Sequence, residues 1–362
     1  MDAILDYMEK YDYENLFLCQ DRALNFKAVI AIHDTTLGPA TGGCRMWNRY
    51  AGEMDAIEDA LRLARGMTYK YAAAGVNLGG GKAVIIGDPQ RQDREPVFRA
   101  LGKFINRLGG KYITGEDVGT TLEDMAYIRM ETEYVVTLPT YLGGAGDIAP
   151  MTAFGTLRAM QACCNRVYGS DGLEGKRVVV QGLGAVGHNI VAQLHEAGAK
   201  MVVTDIDSAK VAAMVSRYGV EQVEPAAIYD VEGDIFCPCA LGQVINDATL
   251  SRLKCKIICG SANNQLAEEH HGDVLEEKGM VYAPDYITNA GGTIYDTDRL
   301  GVGGVSHARG KEKVSRIYAN MLRVFEIADR DQIPTYLAAD RMAEERIRQI
   351  AEVKKYVDDL KP

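Results

Sequence analysis

The chain has no apolar run long enough to cross a bilayer, and it lacks an excess of basic charge. Its 40 lysines and arginines stand against 50 aspartates and glutamates, so the formal net charge is −10. A negative surface is repelled by phosphate backbones and anionic lipids, so we expect no nucleic-acid or membrane partner. The sequence starts Met-Asp-Ala-Ile-Leu-Asp, acidic rather than basic, and we therefore expect no signal peptide and a cytoplasmic location.

Cysteine is too sparse for a disulfide scaffold, because only eight thiols are spread over 362 residues. Cys237 and Cys239, followed by Cys255 and Cys259, raise the alternative of a zinc site. Their C-x-C and C-x₃-C spacings differ from the C-x₂-C pair of a zinc ribbon. Apolar neighbours indicate buried strands in which cysteine serves as a small hydrophobe. We expect free thiols and no metal.

Length and pattern together predict an α/β protein of two domains. Strand-like and helix-like runs alternate over residues 1–137, which predicts an α/β first domain. The glycine-rich segment 143–150 is the best hinge candidate. Residues 138–329 are predicted to form a doubly wound parallel sheet, and residues 330–362 a C-terminal helix that returns to the first domain.

The second domain carries a dinucleotide fingerprint. The β-branched run 178–181 leads into a G-x-G-x-x-G turn formed by Gly182, Gly184 and Gly187, and a helical stretch follows. Such glycines permit a tight turn and let backbone approach a pyrophosphate at the helix N-terminus. Asp205 ends the next strand, where an acid binds the ribose hydroxyls and repels a 2′-phosphate. The pattern predicts a Rossmann domain that binds NAD rather than NADP.

The first domain offers two lysines and an acid for chemistry. The run Gly79-Gly80-Gly81-Lys82 is not a phosphate loop, since the required glycine and hydroxyl positions are missing. We interpret the glycines as clearing space around the Lys82 ammonium, which can act as an acid or base in a desolvated pocket. Taken alone, Lys70 is more typical of a helix C-terminus than of a catalytic site, and Asp117 is also typical of a cap for the following turn.

Motifs in a single order along nearly the whole chain resemble the Glu/Leu/Phe/Val amino-acid dehydrogenase family, in its leucine-type branch. The resemblance runs from about residue 5 to about residue 350. The motifs occupy residues 30–46, 66–70, 79–82, 115–120, 150–152, 181–187, 239–242, 261–266 and 289–292.

The resemblance implies a reversible reaction in which NAD and water convert an L-amino acid to its 2-oxo acid, ammonium and NADH. Lys70 would hold the substrate carboxylate, Lys82 would activate the water, and Asp117 would move protons to and from the amino nitrogen. It also implies that residues 1–137 form a substrate-binding and oligomerisation domain, with a cleft between this domain and the NAD-binding domain. The protein would be a homo-oligomer, from dimer to octamer. Further expected substrate contacts are Thr41, Gly42, Gly43, Met67, Gly115, Asn264, Asn289, Thr293 and Asp296. Expected cofactor contacts are Thr152, Gly182, Gly184, Ala185, Val186, Gly187, Asp205, Ile206, Cys239, Ala240, Leu241 and Asn264.

Three of these positions depart from the leucine-type pattern. Thr41, Thr293 and Asp296 stand where such relatives usually have aliphatic residues. A carboxylate at the end of an apolar pocket is costly to desolvate without a partner. A polar or basic L-amino acid is therefore the alternative to a branched-chain aliphatic one, unless Asp296 faces solvent, caps a helix or pairs with Arg299. Glutamate is disfavoured, because Asp296 would repel its side chain.

Two other classes of protein remain as alternatives. A 2-hydroxy-acid dehydrogenase would need a histidine as proton shuttle and an arginine on the carboxylate. A non-catalytic NAD-binding regulator would keep the fingerprint and lose the lysines or the acid, yet Lys70, Lys82 and Asp117 are all present. None of the six histidines is placed convincingly as the proton shuttle of a 2-hydroxy-acid dehydrogenase. They are His33, His188, His195, His270, His271 and His307.

Overall fold

A computed structural model describes residues 3–358, with side-chain burial up to residue 354. The chain divides into two compact units. Unit 1 comprises Met1–Asp147, Asp296–Ser306 and Ala343–Pro362, and unit 2 comprises Ile148–Tyr295 and His307–Met342. The first boundary lies inside the glycine-rich segment 143–150, whereas the domain limits at 137/138 and 329/330 stay predictions. Among the described residues, no helix has the length and apolar character needed to cross a membrane.

Unit 1 is built on a mixed sheet. Its strands are β1 (Asn15–Asp21), β2 (Phe26–Asp34), β3 (Ala40–Trp47), β4 (Gly79–Ile86) and β5 (Tyr112–Glu116). Within the described residues they lie in the order β1-β2-β4-β3-β5. β2 is antiparallel to β1 and β4, while β3 is parallel to β4 and β5. Its helices are α1 (Ile4–Lys10), α2 (Glu53–Ala73), α3 (Arg94–Arg107) and α4 (Leu122–Arg129), with a 3₁₀ turn at Thr140–Leu142.

Helices cover both faces of this sheet. α2 packs small side chains such as Ala60 and Ala64 against Val84 of β4. On the other face α3 contributes Phe98 and Leu101 to a second buried cluster. Period-2 alternation places successive strand residues on opposite faces, so both faces must be apolar where both are covered. This arrangement explains why β2 and β4 are nearly continuous apolar runs.

Unit 2 is built on a parallel sheet. Its strands are β6 (Arg177–Gln181), β7 (Lys200–Thr204), β8 (Glu221–Gln222), β9 (Ile235–Pro238), β10 (Ile257–Ile258) and β11 (Val281–Tyr282). In the described part of the unit their order is β11-β10-β9-β6-β7-β8, with every pair parallel. This is the doubly wound arrangement. The predicted α/β class with a Rossmann domain is confirmed.

The helices of unit 2 surround this sheet. They are α5 (Ala149–Tyr168), α6 (Ala185–Glu196), α7 (Ser208–Tyr218), α8 (Asp247–Leu250), α9 (His270–Glu277), α10 (Asp285–Thr288), α11 (Gly291–Asp296), α12 (His307–Ser315) and α13 (Ile317–Asp331). A 3₁₀ segment of unit 2 occupies Pro225–Asp230, whereas the one at Thr297–Leu300 and the last residue of α11, Asp296, belong to unit 1. The last helix, α14 (Thr335–Asp358), starts in unit 2 and belongs to unit 1 from Ala343 onward.

The unit 1 part of α14 is tied to the end of α2. Arg346 donates from Nη1 to the Val76 carbonyl (2.9 Å) and from Nη2 to Asn77 Oδ1 (2.6 Å). The Tyr69 hydroxyl donates to Glu344 Oε1 at 2.9 Å. Hydrogen bonds that involve a charged group are among the stronger ones in proteins, so these contacts hold the C-terminal helix onto this unit.

Candidate active site and dinucleotide site

Lys82 and Asp117 meet on the sheet of unit 1. Lys82 lies within β4 and Asp117 follows β5 directly, and the Lys82 Nζ and Asp117 Oδ2 atoms are 3.0 Å apart. Lys82 is only 4% exposed. A buried ammonium requires a compensating charge, which the carboxylate supplies. Two residues that the sequence suggested for catalysis are therefore brought into direct contact.

Arg45 is a second cation on Asp117, and sequence reasoning missed it. Its Nε lies 3.0 Å from Asp117 Oδ2, and its Nη1 lies 2.8 Å from Asp59 Oδ2. The Tyr50 hydroxyl donates to the same Asp59 oxygen at 2.7 Å. The available signal was strand alternation, because Arg45 follows Gly43 by two residues on β3 and so shares its face.

Opposing effects act on the Asp117 carboxyl. Burial by itself raises its pKa, but the charges of Lys82 and Arg45 and their hydrogen bonds outweigh this, and the pKa falls below its usual value. Asp117 is therefore a carboxylate at neutral pH. A carboxylate accepts protons or hydrogen bonds and cannot donate one until it is protonated.

The structure gives a different explanation for the glycines before Lys82 from the one that the sequence suggested. A Cβ on Gly80 would lie 2.1 Å from Thr68 Oγ1 and 2.3 Å from the Ala64 carbonyl of α2. A Cβ on Gly81 would lie 2.7 Å from the Tyr112 ring. The run belongs to β4 and is packed on by its neighbours, so the expectation that it clears space for a substrate is wrong. Close helix-to-strand packing is what requires glycine here.

Gly42 and Gly43 permit close backbone approach on β3. A Cβ on Gly42 would lie 1.8 Å from the Gly81 carbonyl oxygen, and one on Gly43 would lie 2.9 Å from Asp117 Cβ. Thr41 beside them is fully buried, and its hydroxyl donates to the Pro39 carbonyl at 3.3 Å. Gly43 therefore leaves the room that Asp117 occupies.

The other expected substrate contacts of unit 1 lie on two elements. Met67 and Lys70 are half-buried in the second half of α2, and Lys70 is in its last turn. Gly115 is buried in β5, where a Cβ would lie 2.7 Å from Thr137 Oγ1. The absence of a side chain at Gly115 therefore leaves room for the Thr137 side chain.

Thr137 is the partner of Asp296. Asp296 Oδ1 accepts from the Thr137 backbone N–H (2.7 Å) and Oδ2 from its hydroxyl (2.5 Å), and Asp296 is 4% exposed. Arg299 instead donates to the Val135 carbonyl at 2.6 Å. The expectations that Asp296 faces solvent or makes its bond to Arg299 are wrong. Since both carboxylate oxygens already have partners within the chain, Asp296 by itself no longer requires a polar or basic substrate.

The phosphate-binding turn of unit 2 has the expected backbone. Gly182 has φ +98°, a conformation that favours glycine, and a Cβ on Gly187 would lie 2.0 Å from the Gly182 carbonyl oxygen. No atom lies within 4 Å of the Cβ position of Gly184, so backbone is accessible there. Gly184 caps α6, whose first N–H groups, from Ala185 and Val186 onward, have no intrahelical acceptor and suit a pyrophosphate.

Asp205 stands at the carboxyl end of β7. Burial raises its pKa, but the backbone N–H groups that donate to it, including those of Asp207 (2.9 Å) and Leu183 (2.6 Å), lower it on balance. Asp205 is therefore ionised at neutral pH, with acceptor capacity left for hydroxyl groups. Such a carboxylate is suited to a ribose diol and repels a phosphate on it.

Apolar side chains stand exposed beside this edge of the sheet. Ile206 is 95% exposed and Leu241 is 86% exposed. Ala240 is also exposed, and Cys239 follows β9 with its thiol 3.4 Å from that of Cys237. Exposed apolar side chains at the carboxyl ends of parallel strands are suited to an aromatic base.

The remaining expected contacts also belong to unit 2. Thr152 lies in the first turn of α5, and a Cβ on Gly292 would lie 2.3 Å from its hydroxyl. Asn264 is exposed with φ +51°, and Asn289 is buried and donates to Asn263 Oδ1 at 2.7 Å. Thr293 is half-buried in α11. Their roles stay predictions.

The thiols do not form a metal centre in the part of the chain that the structure describes. The cysteines are free, and no three of them gather with metal-ligand spacing among residues 3–358. The hydrogen bond between the Cys237 and Cys239 thiols lowers the pKa of Cys239. Most of the cysteines are buried, as expected of small hydrophobes.

Proton transfer at a lysine–carboxylate pair, combined with a fold built for dinucleotides, is the chemistry of a dehydrogenase. Residues 18–134 match the family described as Glu/Leu/Phe/Val dehydrogenase, dimerisation domain. Residues 143–213 and 204–297 match Glutamate/Leucine/Phenylalanine/Valine dehydrogenase. The chain belongs to this family: it is an amino-acid dehydrogenase, which catalyses reversible oxidative deamination.

Individual relatives agree with this assignment. The chain is 58% identical to leucine dehydrogenase of Thermoactinomyces intermedius, covering 97% of this chain and 95% of that protein. It is 47% identical to phenylalanine dehydrogenase of Bacillus thermotolerans, over 93% and 89% of the two chains. The crystal structure of L-tryptophan dehydrogenase from Nostoc punctiforme superposes with a TM-score of 0.85 at 40% identity, covering 96% of this chain and all of the other. The regulator and 2-hydroxy-acid alternatives are not supported.

Proposed function

We propose that the chain oxidises a branched-chain aliphatic L-amino acid of the leucine type, with NAD as the oxidant. The balanced reaction is L-amino acid, NAD⁺ and water to 2-oxo acid, ammonium, NADH and a proton. The Lys82–Asp117 contact of 3.0 Å at a buried lysine carries the proposal. The proposed substrate rests on the 54–58% identity to several proteins named leucine dehydrogenase and on the partnered state of Asp296.

The proposed roles divide the reaction among three side chains of unit 1. Lys70 binds the substrate carboxylate by charge. Lys82 polarises the water that attacks the imine carbon and stabilises the negative oxygen that forms. Asp117, held as a carboxylate by its two cations, accepts a proton from the amino nitrogen. Arg45 is a positioning residue, because it contacts Asp117 and fixes the orientation of that carboxylate.

NAD, when bound, supplies the hydride acceptor. We propose that it lies along the carboxyl ends of the unit 2 strands, with its pyrophosphate at the fingerprint turn and its ribose on Asp205. Ile206 and Leu241 then supply apolar surface for the adenine. The exposed Gly184 backbone and the ionised Asp205 support this placement. Homo-oligomerisation and a cytoplasmic location complete the proposal, and both stay predictions for this chain.

Steady-state kinetics tests the proposal. NADH formation is measured at alkaline pH with leucine, valine, isoleucine, phenylalanine, lysine and serine, and again with NADP in place of NAD. We expect the three branched-chain substrates to have the highest kcat/KM and NADP to be poorly used because of Asp205. Preference for lysine or serine would contradict the substrate, and equal use of NADP would contradict the cofactor.

Two variants test the site itself. Lys82→Gln and Asp117→Asn remove the charge at nearly constant size, and we expect kcat to fall by about 10²- to 10⁴-fold. NADH binding, followed by fluorescence, should persist because the fingerprint is intact. Lys103→Gln is the matched control, since this lysine is exposed on α3. Turnover close to that of the control in either variant would overturn the assigned roles.

A further inference from the structure

Asp247, His270 and His271 bring metal-ligating atoms together on unit 2. Among the residues that the structure describes, they offer one ligand atom each, all within 4.8 Å of one another. Asp247 is the first residue of α8, and the two histidines are the first residues of α9. We propose that this cluster binds a divalent transition-metal ion such as Zn²⁺.

The two distances from the Asp247 carboxylate to the histidine nitrogens are close to those of a tetrahedral site, and the ligand atoms of His270 and His271 lie within 4.8 Å of each other. Asp247 Oδ1 lies 3.2 Å from His271 Nε2 and 3.8 Å from His270 Nε2. Zinc bonds of about 2.0–2.1 Å at tetrahedral angles place neighbouring ligand atoms about 3.3–3.4 Å apart. The first distance already fits, and the second needs an adjustment of about half an ångström. The exposed side chains of His270 (52%) and Asp247 (92%) can make this movement.

Glu268 supports both imidazoles from the opposite edge. His270 Nδ1 is 3.3 Å from Glu268 Oε2, and His271 Nδ1 is 3.1 Å from the Glu268 carbonyl oxygen. A ring that donates from Nδ1 presents the Nε2 lone pair to a metal, which is the usual outer-sphere arrangement of metal-bound histidine. The Glu268 N–H donates to His271 Nδ1 at 3.0 Å, so without a metal the Nε2–H tautomer donates to Asp247 Oδ1 at 3.2 Å. A metal on Nε2 therefore requires a change to the tautomer whose Nδ1–H donates to the Glu268 carbonyl.

Burial and charge favour an ion at this point. The His271 side chain is only 4% exposed, so it forms a fixed base, while His270 and Asp247 leave a fourth position open to water. The carboxylates of Asp247 and Glu268, with the exposed Glu269 next to them, create a negative potential that attracts a cation. An ion bound here would join α8 to the start of α9 and stabilise unit 2.

Zinc titration of the full-length protein tests the proposal. The protein is treated with EDTA and desalted, and Zn²⁺ is added in competition with a chromophoric chelator. We expect one Zn²⁺ per chain, with affinity at least about tenfold lower in Asp247→Asn and His270→Gln. His195→Gln is the matched control, because it removes an exposed imidazole outside the cluster. Thermal melting should show a Zn²⁺-dependent rise in the wild type and the control that both cluster variants lose.

Cobalt spectroscopy separates this site from the cysteines. Co²⁺ at a nitrogen and oxygen site gives visible d–d bands, whereas thiolate ligation adds intense near-ultraviolet charge transfer. We expect visible bands without the thiolate feature, and their loss in Asp247→Asn. Unchanged Zn²⁺ affinity in both cluster variants, or a spectrum dominated by thiolate charge transfer, would overturn the proposal.

Discussion

Asp296 shows how one buried carboxyl is accommodated at the scale of a residue. Burial raises its pKa to about 6, and the hydrogen bonds from Thr137 oppose that rise only in part. Thr137 has φ +52°, an unusual conformation for a β-branched residue, and its N–H and hydroxyl both donate to the carboxylate. The pair therefore fixes a backbone conformation that threonine by itself disfavours.

The raised pKa predicts a dependence of stability on pH. The Asp296 pKa is higher in the folded state than in the unfolded chain. The protonated carboxyl therefore contributes fully to the free energy of unfolding below about pH 4, and this contribution is lost as the pH rises through about 6. The substitution Asp296→Asn introduces an amide that can keep both contacts with Thr137 and cannot ionise. We expect wild-type stability, relative to this variant, to fall by about 3 kcal/mol between pH 4 and pH 7.

Urea unfolding across this pH range measures the effect. Asp171→Asn is the control, because Asp171 is exposed, and its difference from wild type should stay constant with pH. A constant difference between wild type and Asp296→Asn as well would show that the Asp296 carboxyl is not destabilised by burial.

At the scale of an element, the packing of α2 on β4 depends on glycine. Gly80 admits the α2 backbone at a distance that no side chain allows, because its Cβ position is 2.3 Å from the Ala64 carbonyl oxygen. Gly66, by contrast, lies within α2 itself, and no atom lies within 4 Å of its Cβ position. A side chain is therefore excluded at Gly80 of β4 but has space at Gly66 of α2.

Alanine substitutions at these two glycines test the contrast. We expect Gly80→Ala to cost about 2–3 kcal/mol, since α2 must move away from the sheet. Gly66→Ala should stabilise the protein by up to about 1 kcal/mol, since alanine restricts the unfolded chain and favours the helix. Thermal melting of both variants is the measurement. Equal melting temperatures would contradict the packing explanation.

At the scale of the whole molecule, an exposed edge strand of unit 1 bears on assembly. The matched family region, residues 18–134, is described as a dimerisation domain. β1 forms one edge of the unit 1 sheet, and Leu18 on it is 71% exposed. An edge strand with unpaired backbone and an exposed leucine is a surface on which another chain can pair.

Light scattering after size exclusion tests assembly. We expect a mass of at least about twice the 39.5 kDa of one chain. Leu18→Lys places a charge on the edge strand and should lower this mass. Val302→Lys, at a residue 98% exposed outside the matched region, is the control. A monomeric wild type would contradict the proposed homo-oligomer, and an unchanged Leu18→Lys would exclude β1 from the interface.

The local sequence pattern predicts a functional site well where that site is formed by one continuous segment of the chain. The strand–turn–helix around Gly182 and the acid at Asp205 were predictable, because the turn, the helix start and the next strand follow one another in the chain. The sequence of β3 does not predict a strand, because Gly42 and Gly43 interrupt the apolar pattern and are typical of a loop. The expectation for the glycine run before Lys82 was wrong because the atoms packed on Gly80 and Gly81 come from α2 and from Tyr112 of β5, which are distant in the sequence.

The sequence by itself determined the α/β class, the order of the catalytic and dinucleotide segments, and the identity of Lys82 and Asp117 as candidates. Only the tertiary structure decided that Arg45 shares the Asp117 carboxylate and that Asp296 bonds to Thr137. These partners are separated by 72 and 159 residues along the chain. Periodicity reports which face a residue occupies, whereas the order of strands in the sheet decides which distant residue faces it.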